Sequence, residues 1–174
     1  MNFDTEYLAK LDHLLNILTF TGIKNPLVAG GAIRDMLFDK PIKDIDVFYS
    51  QDIWTSTYEA PLKYGTFITN VEYHTEKYEG SKFQLTHSFN YSGFPETRVQ
   101  LIKTELPPQQ HVENFPIDIC CVSYGSINGE SNQLHIPNFV MECYNLKKVF
   151  CSCDVNEEYL NRIQQKYPEY EFIK

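Results

Sequence analysis

Val28-Ala29-Gly30-Gly31-Ala32-Ile33-Arg34-Asp35-Met36-Leu37 is followed closely by Lys43-Asp44-Ile45-Asp46-Val47-Phe48. The pattern predicts a short buried strand over Leu27–Ala29, a glycine pair opening a helix over residues 30–38, and a second strand over Asp44–Tyr49. Gly30 and Gly31 have no side chains to keep a ligand away from the backbone. At a helix start, free N–H groups and the helix dipole favour phosphate. Side chains alternate along a strand, so Asp44 and Asp46 share one face. Two carboxylates so placed repel unless a cation sits between them, and magnesium takes oxygen ligands while keeping water or substrate phosphate in its shell.

Working outward, Tyr7, Leu8, Leu11, Leu14, Leu15 and Leu18 follow the helical repeat over Thr5–Phe20, with Asp4 as a cap. After Pro41 and the Asp44–Tyr49 strand, residues 52–64 read as a helix closed by Gly65. Residues 66–74, 82–87 and 98–103 read as strands, and 90–97, with Gly93 and Pro95, as a turn or loop. A short helix is expected at 109–114, a strand at 117–124, and a hairpin turn at Asn128-Gly129 with its return at 133–136. Residues 139–149 lean towards helix, and Glu157–Lys166 reads as a helix ended by Pro168. No internal repeat or linker interrupts the chain. The expected architecture is one domain over residues 1–174, α/β (α+β), with a mixed or antiparallel sheet flanked by helices.

The 174 residues are 43% hydrophobic and 22% charged, with twelve Tyr and twelve Phe, enough for a globular core. No apolar run reaches the 18 or so residues of a membrane helix. Asp4 and Glu6 stand where a secretory signal would be basic, so the expected location is cytoplasmic, the host cytoplasm if the chain is phage-encoded. The net charge of −8 argues against broad non-specific DNA or RNA binding. Cys120, Cys121, Cys143, Cys151 and Cys153 are odd in number and lack zinc-ligand spacing. They read as reduced, apolar cysteines, with Cys143, Cys151 and Cys153 as a weak alternative metal set. The aromatic-rich 58–91 segment reads as packing, and the scattered histidines as ordinary core or surface residues.

Asp118 lies in the apolar run Phe115-Pro116-Ile117-Asp118-Ile119-Cys120-Cys121-Val122. A carboxylate in such a run needs a partner or a ligand. If its strand neighbours that of Asp44 and Asp46, three carboxylates converge. Such a set suits two-metal phosphoryl chemistry, in which paired ions stabilise the attacking and leaving oxygens.

The joint pattern from Val28 to Phe48 resembles the signature of the DNA polymerase beta-like nucleotidyltransferase superfamily. The nearest version is the head-domain motif of CCA-adding enzymes and bacterial poly(A) polymerases, and the Asp118 strand looks like the third acidic position of short bacteriophage-type nucleotidyltransferases. The resemblance implies a palm-like core and the transfer of a nucleoside monophosphate from an NTP to a hydroxyl, with release of pyrophosphate. It implies Asp44, Asp46 and Asp118 as catalytic metal ligands for Mg2+, or Mn2+ in its place. Gly30 and Gly31 would hold the triphosphate, Arg34 would face phosphate or sit in a structural ion pair within the motif, and Lys43 would reach phosphate or stand solvated. The acceptor would be an RNA 3′ end, a protein or a small molecule. The chain lacks a recognisable base-selecting Glu-Asp-x-x-Arg segment and the helical domains that hold tRNA, which counts against tRNA CCA addition. The alternative is a non-catalytic nucleotide-binding or host-protein-interaction module on the same fold.

Overall fold

The computed structural model describes residues 1–50, 67–74, 83–126 and 130–174. The helix expected over 52–64 and the Asn128-Gly129 turn lie outside the described residues, as does the part of the aromatic-rich segment at Tyr58, Tyr64 and Tyr78. The chain forms a seven-stranded sheet in the order β3 (Ile68–Tyr73), β4 (Phe83–Tyr91), β5 (Phe94–Thr104), β2 (Asp44–Tyr49), β1 (Leu27–Ala29), β6 (Ser123–Gly125) and β7 (Gln133–His135). Every pairing is antiparallel except β2 with β5. A separate parallel pair joins β8 (Lys148–Phe150) to β9 (Glu171–Ile173). The helices are α1 (Thr5–Phe20), α2 (Gly31–Leu37), α3 (Pro108–Glu113), α4 (Asn138–Leu146) and α5 (Glu157–Lys166). The mixed α/β fold with a mostly antiparallel sheet is therefore as the sequence leads one to expect.

The two sheet faces have different fates. Ile45 and Val47 of β2, Val99 and Leu101 of β5 and Phe89 of β4 point into the main core, where Leu11, Leu14, Leu15 and Leu18 of α1 and Ile33 of α2 cover them. On the opposite face, Leu27, Ala29, Phe48 and Ile102 pack with Val112 of α3. That smaller cluster stops short of the N-terminal end of β2. Asp44 and Asp46, on the same face as Phe48, stand beyond the apolar cover, in register with Arg98 and Gln100 of β5. Among the described residues no helix is long and apolar enough to cross a membrane.

Two local readings change. Residues 90–97 are not an open loop: Tyr91 and Phe94 pair across Ser92-Gly93, so β4 and β5 form a tight hairpin. The ring of Tyr91 lies over Gly93, where a Cβ would stand 2.3 Å from Cε1. Residues 117–124 are not one strand. Asp118–Cys120 is a 3-10 turn, closed by Cys120 N–H to the Ile117 carbonyl at 2.9 Å and Cys121 N–H to the Asp118 carbonyl at 3.0 Å. Only Ser123–Gly125 joins the sheet, beside β1 rather than β2. A run apolar at six of its eight positions gives no clear period from which to tell strand from turn.

Candidate active site

β2 brings Asp44 and Asp46 to a cleft of about 470 Å³ between the start of α2 and the helix α5. Gly31, Arg34 and Asp35 form the α2 wall, and Lys43 stands at the mouth. The side chain of Lys43 is 86% exposed, with Nζ 4.0 Å from Asp44 Oδ2. Tyr159, Arg162, Gln165 and Lys166 of α5 supply the facing wall. A second hollow, of about 680 Å³, runs along α5 past Asn156, Glu158 and Asn161 and shares Tyr159, Arg162 and Gln165 with the cleft.

The carboxylate pair is electrostatically uncomfortable. Burial, then the neighbouring Asp44, push the Asp46 carboxyl up from its ordinary 3.8 to about 6, against the pull of Arg162 and Arg34. A cation held between the two carboxylates relieves that repulsion, so the donors fit a divalent ion with oxygen preference. Among the described residues no group of three or more His, Cys, Asp or Glu side chains is placed to hold a metal. Remaining ligands would come from substrate oxygens and water, as magnesium usually requires. The same finding leaves Cys143, Cys151 and Cys153 without a metal set.

Asp118 is elsewhere. Its 3-10 turn packs on α2 and α4, and its carboxylate lies beside Cys143, with Sγ 4.0 Å from Oδ2. Burial pushes the Asp118 carboxyl up, and Asp118 in turn helps hold the thiols of Cys121, Cys143 and Cys151 protonated, after burial as the larger cause. It does not line the cleft, and the charges acting on Asp46 are Asp44, Arg162 and Arg34. The expected convergence of three carboxylates is a pair, because β6 joins the sheet next to β1 and the turn carries Asp118 away from β2.

The glycines also divide. Gly30 has φ +67°, its N–H donates to the Val122 carbonyl at 3.1 Å, and a Cβ there would meet Phe115 Cε2 at 3.2 Å. It is a backbone turn packed against a ring and is not among the residues that line the cleft. Gly31 lines the cleft, and a Cβ there would meet nothing nearer than Arg34 Nη2 at 3.8 Å. The backbone at Gly31 is therefore open to the cleft. Gly30→Ala is expected to destabilise the fold by about 1–3 kcal/mol, read by urea denaturation, from the left-handed backbone and the Phe115 contact. Gly31→Ala is expected to leave the denaturation midpoint unchanged and to weaken nucleotide binding by about tenfold.

Of the two readings of Arg34, the structure shows the ion pair within the motif. Its Nε donates to Asp35 Oδ1 at 2.8 Å and to Tyr167 Oη at 2.9 Å, Nη2 sits 2.7 Å from Asp35 Oδ1, and Nη1 reaches Cys120 Sγ at 3.1 Å. Both side chains of the pair are about 5% exposed or less. Arg34 therefore frames the cleft wall while paired. The α5 residues were not legible as site residues, since more than a hundred positions separate them from β2. One signal was available: Arg162 and Lys166 sit four apart on one helix face of an otherwise acidic chain.

The cleft is thus framed by a glycine-led helix, an Asp-x-Asp strand and the α5 face that carries Arg162 and Lys166. The model of the Gabija anti-defense 2 (Gad2) family matches residues 6–151. The chain belongs to the Gad2 family. No curated protein matches it. Among solved structures, this Gad2-family chain is similar to a CCA-adding enzyme in complex with ATP, with a TM-score of 0.65 and 13% identity over 100% of this chain and 43% of that one. It is similar to the Thermotoga maritima CCA-adding enzyme complexed with tRNA, with a TM-score of 0.58 and 12% identity over 93% and 40% of the two chains. An NMR structure described as a CCA-adding enzyme head domain aligns over 100% of this chain and 97% of its own, with a TM-score of 0.51 and 17% identity. The Gad2-family chain spans less than half the length of the first two enzymes and nearly all of the head domain. At these identities the likeness establishes the fold alone, which is similar to that of the CCA-adding enzyme head domain.

Proposed function

We propose that this chain is a nucleotidyltransferase that moves a nucleoside monophosphate from an NTP to a hydroxyl acceptor. The observation that carries the reading is the Asp44–Asp46 pair, facing a polar cleft with the Asp46 carboxyl pushed up to about 6. Mg2+, or Mn2+, held by Asp44 and Asp46 would supply neutralisation of the triphosphate charge. Lys43 at the mouth and the backbone at Gly31 bind phosphate oxygens, and Arg162 closes the cleft from α5. The hollow along α5, with Asn156, Asn161 and Gln165, offers amide donors and acceptors for the nucleoside. The acceptor oxygen bonds to the α-phosphorus, the bond from that phosphorus to the pyrophosphate oxygen breaks, and the hydroxyl proton leaves to solvent.

The tRNA complex among the structural neighbours favours an RNA 3′ end as acceptor, with a small-molecule hydroxyl as the other option. The setting is the one the family description states, counteraction of the Gabija defence. A second reading, a nucleotide-binding module without turnover, draws support from the pair of carboxylates standing where three were expected. The two readings part in one assay. The chain is incubated with each α-labelled NTP, Mg2+ or Mn2+, and total RNA or a cell extract. Label on an acceptor, lost with Asp44→Asn, supports transfer. Tight Mg2+-dependent nucleotide binding with no labelled product supports the binding module.

Asp118 gives a further expected outcome. Because it lies beside Cys143 and does not line the cleft, Asp118→Asn is expected to retain transfer within about threefold, a change of less than about 1 kcal/mol in the barrier. Initial rates at saturating NTP provide the measurement. A loss comparable to that of Asp44→Asn would return Asp118 to the metal site.

A further inference from the structure

We propose that Lys166 is a positioning residue that fixes α5 over the Asp44–Asp46 pair by joining three elements of the cleft. The proposal rests on the reading of this cleft as the nucleotide site. Lys166 is the last residue of α5, lines the cleft, and is 27% exposed. Its ammonium pairs with Asp35 Oδ2 on α2 and donates to the Pro41 carbonyl at 2.7 Å. Pro41 lies in the segment that feeds Lys43, Asp44 and Asp46 into β2. One cation thus ties α5, α2 and the lead into β2.

The next residue divides the work with it. Tyr167 is fully buried, donates its hydroxyl to Asp35 Oδ1, and stacks edge-on against Phe38 with centroids 5.4 Å apart. It anchors the chain leaving α5 to the core, while Leu160 and Ile163 bury the inner face of the helix. The Tyr167 ring also meets the segment before β2, through Phe38 and through the Lys40 ammonium 5.6 Å from its centroid. Lys166 adds a hydrogen bond to that segment from α5 itself, and Arg162, one helical turn earlier, shares its face. Movement at the end of α5 is therefore movement of Arg162 relative to Asp46. The carboxylates themselves are set by the sheet, through the β2–β1 and β2–β5 ladders, and do not depend on α5. Loss of the latch should weaken nucleotide binding and leave the chemical step nearly unchanged.

The test uses the full chain carrying Lys166→Met, which keeps the aliphatic stem, and Lys166→Arg, which can still donate to both acceptors. Hydrogen exchange of the nucleotide-free protein is read over residues 157–166, and Mg2+–ATP binding and the KM for ATP are measured beside it. For Lys166→Met, exchange over 157–166 should rise about tenfold with that of β1 and β2 unchanged. KM and the dissociation constant should rise about tenfold with kcat within about twofold. Lys166→Arg should restore both. Unchanged exchange overturns the latch. Faster exchange with unchanged Mg2+–ATP affinity overturns its service to the cleft, and a fall in kcat at constant KM would give Lys166 a direct role in the chemistry instead. If the unaltered protein binds no nucleotide while exchange responds as expected, the fault lies with the nucleotide reading and not with the latch.

Discussion

Asp46→Asn is expected to abolish transfer, by about a thousandfold or more, and at the same time to make the nucleotide-free protein more stable. The loss follows from removing a carboxylate that would hold the cation on the triphosphate, worth several kcal/mol at about 1.4 kcal/mol per tenfold in rate. The gain follows from the Asp46 carboxyl being raised from 3.8 to about 6, by burial first and by Asp44 second. In that window the folded protein binds the proton more tightly than the unfolded chain does. Stability contributed by this group therefore falls as pH rises through 4 to 6, and the full deficit, about 1–3 kcal/mol, is present at neutral pH. Asn carries no charge, so the variant should melt above the unaltered protein at pH 7.5, with the advantage gone near pH 4. Mg2+ should raise the melting temperature of the unaltered protein at pH 7.5, by binding only the folded state, and have little effect on Asp46→Asn. A variant equally or less stable than its parent at pH 7.5 would mean that the pair is not strained as the geometry indicates.

How much of this was legible in the sequence depends on the range of the information. The α1 helix, β1, β2 and α5 appear over the stretches their periodicity marks, because a 3.6 or a 2.0 repeat is a local signal. Asp44 and Asp46 on one face, and Gly31 beside them, follow from the same local geometry. What failed was placement across the sheet. Asp118 would join the pair only if the Ile117 segment ran as a strand next to β2. The chain instead forms a 3-10 turn there, sends β6 to the other side of β1, and puts Asp118 against Cys143. The two glycines look alike in sequence, yet one is taken by Phe115 and a left-handed backbone while the other is open to the cleft. Arg34 reads in sequence as either a phosphate contact or an ion pair within the motif, and the pair with Asp35 is locked by Tyr167, 133 positions later. Strand order and long-range ion pairs are set by the whole fold, and no window of residues contains them.

Asp35→Ala is expected to be the most damaging substitution to the fold, at about 3–5 kcal/mol, a large part of the 5–15 kcal/mol by which domains of this size are stable. Asp35 is nearly fully buried and accepts hydrogen bonds from Arg34, Tyr167 and Lys166. Removing its carboxylate leaves the Arg34 guanidinium charged in the interior, which is far more costly than loss of the pair as a whole. Burial alone would lower the Arg34 pKa, but Cys120, Tyr167 and Asp35 raise it well above the ordinary value, so the guanidinium stays charged. The comparison that separates an unpaired charge from lost packing is the double variant Arg34→Met with Asp35→Leu. It removes both charges and keeps most of the volume, and it should recover at least half of the stability lost in Asp35→Ala, as read by urea denaturation. If the double variant is no more stable than Asp35→Ala, the contribution of Asp35 lies in its links to Tyr167 and Lys166, and the closing of α5 onto α2, rather than the Arg34 pair, holds this corner of the fold together.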